Sequence, residues 1–135
     1  AYMRDYDLDF WEKFENPGGK SYSDPREHVL AYIRVLSTRA VREGYRGCGL
    51  SNATVEYPSR DNPARQVAEA HKKVFRKRLR ELAAGMGARQ PAVLGDALLL
   101  LIEGIYSTGQ QSEEGPAQSA LAVAKLLIDA SVTKG

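Results

Sequence analysis

The sequence predicts an all-α domain, and three features of its composition and pattern support that prediction. Leu and Ala supply 31 of the 135 residues, whereas Val, Ile and Thr supply 17, and the first pair keeps more side-chain freedom in a helix. Apolar residues recur at spacings of three and four. Pro and Gly residues divide the chain into segments of this pattern, without an internal repeat or a long linker. We therefore predict one six-helix domain over residues 1–135.

Each predicted helix begins or ends at a recognisable signal. Asp24-Pro25 and Asn62-Pro63 both place a capping side chain before a proline, which fits the first helical position. The first helix is rich in aromatic residues along one face and ends at Asn16-Pro17-Gly18-Gly19. The six segments are 4–15, 24–44, 47–57, 62–85, one that begins near Pro91 and one that follows Pro116.

The fourth segment shows the clearest amphipathic pattern, with an apolar stripe on one side and basic residues on the other. Its apolar stripe contains one polar residue, His71, between Val67 and Phe75. We expect this histidine to be buried against a hydrogen-bond partner or to face a polar spot in a cavity. The other side carries a basic run over 72–80, which we interpret as a solvated face where Glu69 pairs with Lys73.

The composition excludes several classes of protein. The net charge is +2, from 19 Lys and Arg against 17 Asp and Glu, which is too small for a nucleic-acid footprint. The single cysteine, Cys48, excludes a disulfide framework and a thiolate-rich zinc site, and it favours a cytoplasmic setting. The longest apolar run, 97–102, is shorter than the ~20 residues of a membrane span. We predict no metal or cofactor, because the candidate ligands lack paired spacing; they are His28, His71, Glu56 and Glu103.

The last two predicted helices carry more apolar surface than the shorter helices can cover. The helix from Pro91 is apolar on nearly every side, and Glu103 within it is expected in an ion pair or at an exposed edge. The final helix aligns alanines on a seam where a partner backbone can approach closely. We therefore predict a homodimer joined by a helical bundle. The residues predicted for its interface are Leu94, Leu98, Leu101, Ile105, Ala117, Ala120, Leu121, Ala124, Leu127 and Ile128.

Many rings and a few polar groups are predicted between the other helices, as a small-molecule pocket requires. Any one of these rings is also explained as core. Two other hypotheses stay open: a helical enzyme that uses Cys48 with His71 as its base, and a structural dimerisation module with a filled core. The candidate ligand-binding residues are Phe10, Trp11, Phe14, Tyr32, Cys48, Asn52, His71, Phe75 and Tyr106.

A set of short motifs follows a definite order along the chain. Gly47-Cys48-Gly49-Leu50-Ser51-Asn52-Ala53-Thr54-Val55-Glu56 precedes Asn62-Pro63-Ala64, the run 70–79, the LLLLIEG run over 98–104 and Gly115-Pro116-Ala117. In this order they resemble the regulatory C-terminal domain of the tetracycline-repressor-like (TetR) transcriptional regulators. By position, Cys48, Asn52 and Glu56 match polar residues of the family's short helix, and His71 matches the histidine of its long helix.

The resemblance implies an all-helical effector-binding and dimerisation domain. Its last two helices would form a four-helix bundle with the partner subunit, and its first four would surround a small, largely apolar effector. Operator DNA would be bound by an N-terminal helix-turn-helix domain, which we expect to be absent from this chain. The expected function is that of a ligand-responsive regulator, usually a repressor, rather than an enzyme.

Overall fold

The computed structural model describes residues 2–40, 59–108 and 116–132. The predicted all-α class is confirmed in this part of the chain, which forms no strand beyond a single bridge between Ala88 and Val132. The predicted helix over 47–57 lies outside the described residues. Five α-helices are described: α1 (Tyr2–Glu15), α2 (Pro25–Ala40), α3 (Pro63–Gly85), α4 (Pro91–Thr108) and α5 (Ala120–Ser131), with short 3-10 turns at Pro17–Gly19 and Pro116–Ser119.

The helices begin where the local capping signals predict. The Oδ1 atom of Asn62 accepts a hydrogen bond from the Ala64 amide at 2.9 Å, and Asp24 accepts one from the Glu27 amide at 3.0 Å. These bonds satisfy amide groups that the first turn of a helix leaves without partners. The last helix differs slightly from its prediction, because a 3-10 turn occupies Pro116–Ser119 before α5 begins at Ala120.

Helices α3 and α4 pack closely at Gly95. A Cβ atom at this position would lie 2.6 Å from Cγ and 2.7 Å from Cα of Arg80. The missing side chain therefore lets the α4 backbone pass directly over α3. The long helix α3, which carries His71 and Phe75, packs extensively against α4.

The core lies between α2, α3, α4 and α5, with α1 covering one end. The predicted apolar stripe of α3 is buried at His71, Phe75, Leu79 and Leu82, and partly buried at its two ends. Helix α2 contributes the largest share of buried positions, including Val29 and Ile33, which are fully buried. The α1 face that carries the aromatic rings packs against this core and so positions the candidate site.

Candidate functional site

Aromatic side chains from three helices meet where α1 crosses α2 and α3. The Phe10 ring lies 4.4 Å from that of His71 and 4.9 Å from that of Phe75, centre to centre. The Phe14 ring lies 4.8 Å from that of Tyr32. Most pairs meet edge to face, an arrangement that aromatic quadrupoles favour. We call the aromatic cluster the six rings of Phe10, Trp11, Phe14, Tyr32, His71 and Phe75.

The cluster has an inner part and an outer part. Phe14 and Phe75 are essentially inaccessible to solvent, and Tyr32 is buried as well. Phe10 and Trp11 are only partly buried although they pack against the same rings. The inner rings therefore serve the core, while the outer two form an edge that a small molecule in solution can reach.

His71 is a polar member of the cluster, and its imidazole ring is held by a residue of α1. Its Nδ1–H group donates a hydrogen bond of 2.7 Å to Oδ1 of Asp7. Burial lowers the pKa of His71 below its ordinary value, and the nearby carboxylates of Asp7 and Glu103 oppose this shift only in part. Since a neutral imidazole is then favoured near neutral pH, the side chain offers one donor and one acceptor.

A second polar pair joins α2 to α4 beside the cluster. The hydroxyl groups of Tyr32 and Tyr106 lie 2.7 Å apart, at hydrogen-bonding distance, and both residues are buried. A tyrosine in a core keeps its hydroxyl bonded because an unpaired one is costly. This bond brings Tyr106 to the aromatic cluster across 74 residues of sequence.

The structure brings seven of the predicted ligand-binding residues into one region. Cys48 and Asn52, together with Glu56, lie outside the described residues. Asp7 was missed by the sequence analysis, although it lies three residues before Phe10 and four before Trp11 and so shares their helix face. The seven residues are Phe10, Trp11, Phe14, Tyr32, His71, Phe75 and Tyr106.

A metal centre finds no support in the described part of the chain. Within residues 2–40, 59–108 and 116–132, no three His, Cys, Asp or Glu side chains come close enough to hold an ion. The buried histidines have other partners: His71 donates to Asp7, and His28 donates from Nε2 to the Phe14 carbonyl at 2.8 Å.

Comparison with known proteins identifies the architecture. A TetR-family transcriptional regulator from Streptomyces coelicolor superposes on this chain with a TM-score of 0.86 and 24% sequence identity, over 98% of this chain and 70% of that chain. The chain has the TetR regulator fold. No protein-family model and no curated protein matches the sequence.

Arginines on the basic face of α3 form ion pairs with the neighbouring helices of the TetR-type fold. Arg76 and Arg80 each make two hydrogen bonds of 2.8 to 2.9 Å to the carboxylate of Asp96 on α4. These two guanidinium groups hold the pKa of Asp96 well below its usual range. On the other flank, Arg78 binds Glu15 of α1 and lowers the pKa of that carboxyl. The basic side chains thus clamp α3 to its neighbours, in addition to being solvated as predicted.

Two further charged residues of this region have partners within the chain. The structure pairs Glu69 with Arg65 at 2.8 Å, instead of the predicted Lys73. Both partners were available to Glu69, because Arg65 lies four residues before it and Lys73 four residues after it, on the same helix face. Glu103 faces Lys72 of α3 at 4.0 Å and is partly exposed, in agreement with the expected ion pair or exposed edge.

Six of the ten residues predicted for the dimer interface are enclosed within this chain. The alanines of α5 let it pack closely against α2 and α4 of the same chain, so a side chain already enclosed there cannot also contact a partner. Leu101, Leu121 and Leu127 are partly buried, and the side chain of Ala117 lies outside the description. The six enclosed residues are Leu94, Leu98, Ile105, Ala120, Ala124 and Ile128, which are 0 to 2% exposed.

A different set of apolar side chains remains on the outside of these two helices. Leu100 of α4 is 74% exposed and Leu126 of α5 is 70% exposed. Val93 precedes Leu100 by seven residues and Val123 precedes Leu126 by three, so each pair shares one face of its helix. We call Val93, Leu100, Val123 and Leu126 the outer apolar stripe.

Helix α4 is the most apolar element of the described chain. By length and composition alone it could cross a membrane, since it spans 18 residues. It also has six buried positions in contact with the rest of the domain, including Leu98 and Ile102. In the TetR-type fold α4 is therefore a core helix with one exposed apolar side.

Proposed function

We propose that this chain is the effector-binding and dimerisation domain of a cytoplasmic TetR-family transcriptional regulator, and most simply of a repressor. The observation that carries the proposal is the TetR regulator fold, which matches almost the whole chain. In the intact regulator, operator DNA is bound by a helix-turn-helix domain on the N-terminal side. The small net charge of +2 fits a domain that does not itself contact DNA.

The aromatic cluster is the proposed effector site. Phe10 and Trp11 form its accessible edge, and His71 and the Tyr32 hydroxyl supply polar groups beside apolar walls. A few polar groups among many apolar ones are typical of small-molecule sites between helices. The effector controls DNA binding to the extent that it prefers one arrangement of the dimer over the other.

The outer apolar stripe is the proposed dimer surface. Large apolar side chains that stay exposed on two contacting helices are characteristic of interaction sites. Leu100 and Leu126 are the most exposed of them. A partner subunit that presents the same stripe would cover both copies at once, as a two-fold interface requires.

Trp11 allows a direct test of effector binding, because it is the only tryptophan in the chain and lies in the cluster. We expect members of a panel of apolar metabolites to change its fluorescence and to raise the melting temperature of the full chain. Native mass spectrometry identifies any ligand that co-purifies.

Two variants make this test specific to the cluster. Phe10→Ala removes a wall of the site and should weaken the response to any compound that stabilises the wild type. Leu8→Ala, on the exposed side of the same helix, should leave the response unchanged. A panel without effect on the wild type, or an equal response in both variants, would contradict the proposed site.

A further inference from the structure

The Nε2 atom of His71 is a buried acceptor without a partner among the residues that the structure describes. The residue is 5% exposed, and its one hydrogen bond runs from Nδ1–H to Asp7. Because a carboxylate only accepts, this bond places the proton on Nδ1 and leaves a lone pair on Nε2. Buried polar atoms in folded proteins nearly always have partners, so this one calls for an explanation.

The surroundings of the imidazole ring are aromatic. The rings of Phe10, Trp11 and Phe75 lie 4.4, 5.6 and 5.8 Å from it, centre to centre. None of the three makes a hydrogen bond to Nε2 in the described structure. Phe10 and Trp11 are the two rings of the cluster that remain partly accessible. The ring that carries the orphaned lone pair is therefore next to the accessible edge of the proposed effector site.

The charges around His71 determine which ligands suit this atom. Asp7 of α1 is in direct contact, Glu103 of α4 acts at longer range, and Lys72 of α3 is the basic group whose charge reaches the ring. Lys72 faces Glu103, which leaves the carboxylate of Asp7 as the dominant charge. An anionic ligand would be repelled, and the buried imidazole remains neutral and able to accept.

We propose that Nε2 of His71 accepts a hydrogen bond from the effector, and that the effector is an uncharged ring compound with a hydroxyl or N–H group. This inference rests on the function proposed above and specifies its ligand class. Asp7 acts as a positioning residue, since its hydrogen bond to Nδ1 keeps Nε2 free of a proton. The apolar part of the ligand contacts Phe10 and Trp11.

Three probes that share a naphthalene ring test the ligand class on the full chain. They are 1-naphthol, which donates a hydrogen bond, 1-methoxynaphthalene, which does not, and 1-naphthoate, which is an anion. We expect 1-naphthol to bind about ten-fold more tightly than the methyl ether, the value of one added hydrogen bond to a buried acceptor. The naphthoate should bind least. Equal affinity for the first two probes, or no binding of 1-naphthol, would overturn the proposal.

Variants at His71 and Asp7 distinguish the hydrogen-bonding role of Nε2 from the packing of the imidazole ring. His71→Phe keeps an aromatic ring in the cluster and should abolish the preference for 1-naphthol over its methyl ether. Asp7→Asn keeps an acceptor for Nδ1–H and should retain the preference, whereas Asp7→Leu should reduce it. A preference that persists in His71→Phe would refute the role of Nε2.

A measurement on the wild type keeps the proposal testable if His71→Phe does not fold. In histidine labelled with ¹⁵N, NMR at neutral pH should show His71 protonated at Nδ1 alone, and 1-naphthol should shift the Nε2 resonance. A proton on Nε2 before the probe is added would overturn the proposal. If both naphthalenes bind equally without a shift at Nε2, the acceptor role fails while the proposed effector site stands.

Discussion

At the scale of single residues, burial and charged neighbours shift the pKa of an ionisable group in opposite directions. For His71, burial is the largest effect and lowers the pKa, although the hydrogen bond to Asp7 and the negative charge of Asp7 act in the opposite direction. For Asp96, which is partly exposed, hydrogen bonds from Arg76 and Arg80 dominate and lower the pKa. The first residue is thus kept neutral for hydrogen bonding, and the second is kept charged to clamp two helices.

The lowered pKa of His71 predicts how stability depends on pH. An unfolded histidine keeps a pKa of about 6.5, so as the pH falls the unfolded chain binds this proton before the folded chain does. The contribution of neutral His71 to the free energy of unfolding is therefore complete above that value and is lost as the pH falls toward the folded pKa. Urea unfolding at several pH values between about 7.5 and 5.5 measures this loss.

The control for this prediction is His71→Phe, which removes the titrating group. Its free energy of unfolding should fall less over the same pH interval than that of the wild type, since His28 and the carboxylates remain in both proteins. Parallel pH curves for the two proteins would show that His71 does not contribute through its protonation.

At the scale of the elements, the contact of α3 with α4 depends on one missing side chain. Gly95→Ala would place a methyl group 2.7 Å from the Arg80 backbone, and the strain should cost about 1–3 kcal/mol of stability. The same substitution at Gly104 meets open space on the same helix. Gly104→Ala should therefore be neutral or stabilise by up to about 1 kcal/mol, because Ala favours the helix.

Chemical unfolding followed by circular dichroism compares the two variants. The substitutions are chemically identical, so the difference between them isolates the close approach of the helices from the general effect of replacing a glycine. A Gly95→Ala variant as stable as Gly104→Ala would mean that α4 can move away from α3 at little cost.

At the scale of the whole molecule, the outer apolar stripe distinguishes a dimer from a stable monomer. Leu126→Glu with Leu100→Glu would bury two carboxylates against apolar surface in each subunit if the proposed interface forms, at a cost that dissociates the dimer. We expect sedimentation to give a mass of twice 14.9 kDa for the wild type and 14.9 kDa for the double variant.

Leu8→Glu is the matched control, since Leu8 and Leu126 are both 70% exposed but lie on different helices. It should leave the dimer intact. A double variant that keeps the wild-type mass would exclude the outer apolar stripe as the interface, and a monomeric wild type would exclude the dimer itself.

Much of the secondary structure was accessible from local sequence. Asp24 and Asn62 were predicted to cap α2 and α3, and both make their capping hydrogen bonds. The buried stripe of α3 was also predicted from its spacing, including the burial of His71. These features depend on neighbours a few residues apart, so the sequence contains the whole interaction.

Other features depended on contacts between distant segments. Asp7 and His71 are 64 residues apart, and the sequence around either residue does not indicate that the other is its partner. The alanines of α5 predicted a close approach without identifying the helix that they contact, and they pack within the chain itself. A periodic pattern tells which side of a helix is apolar, whereas the choice between the chain's own core and a partner follows from how all the helices pack together.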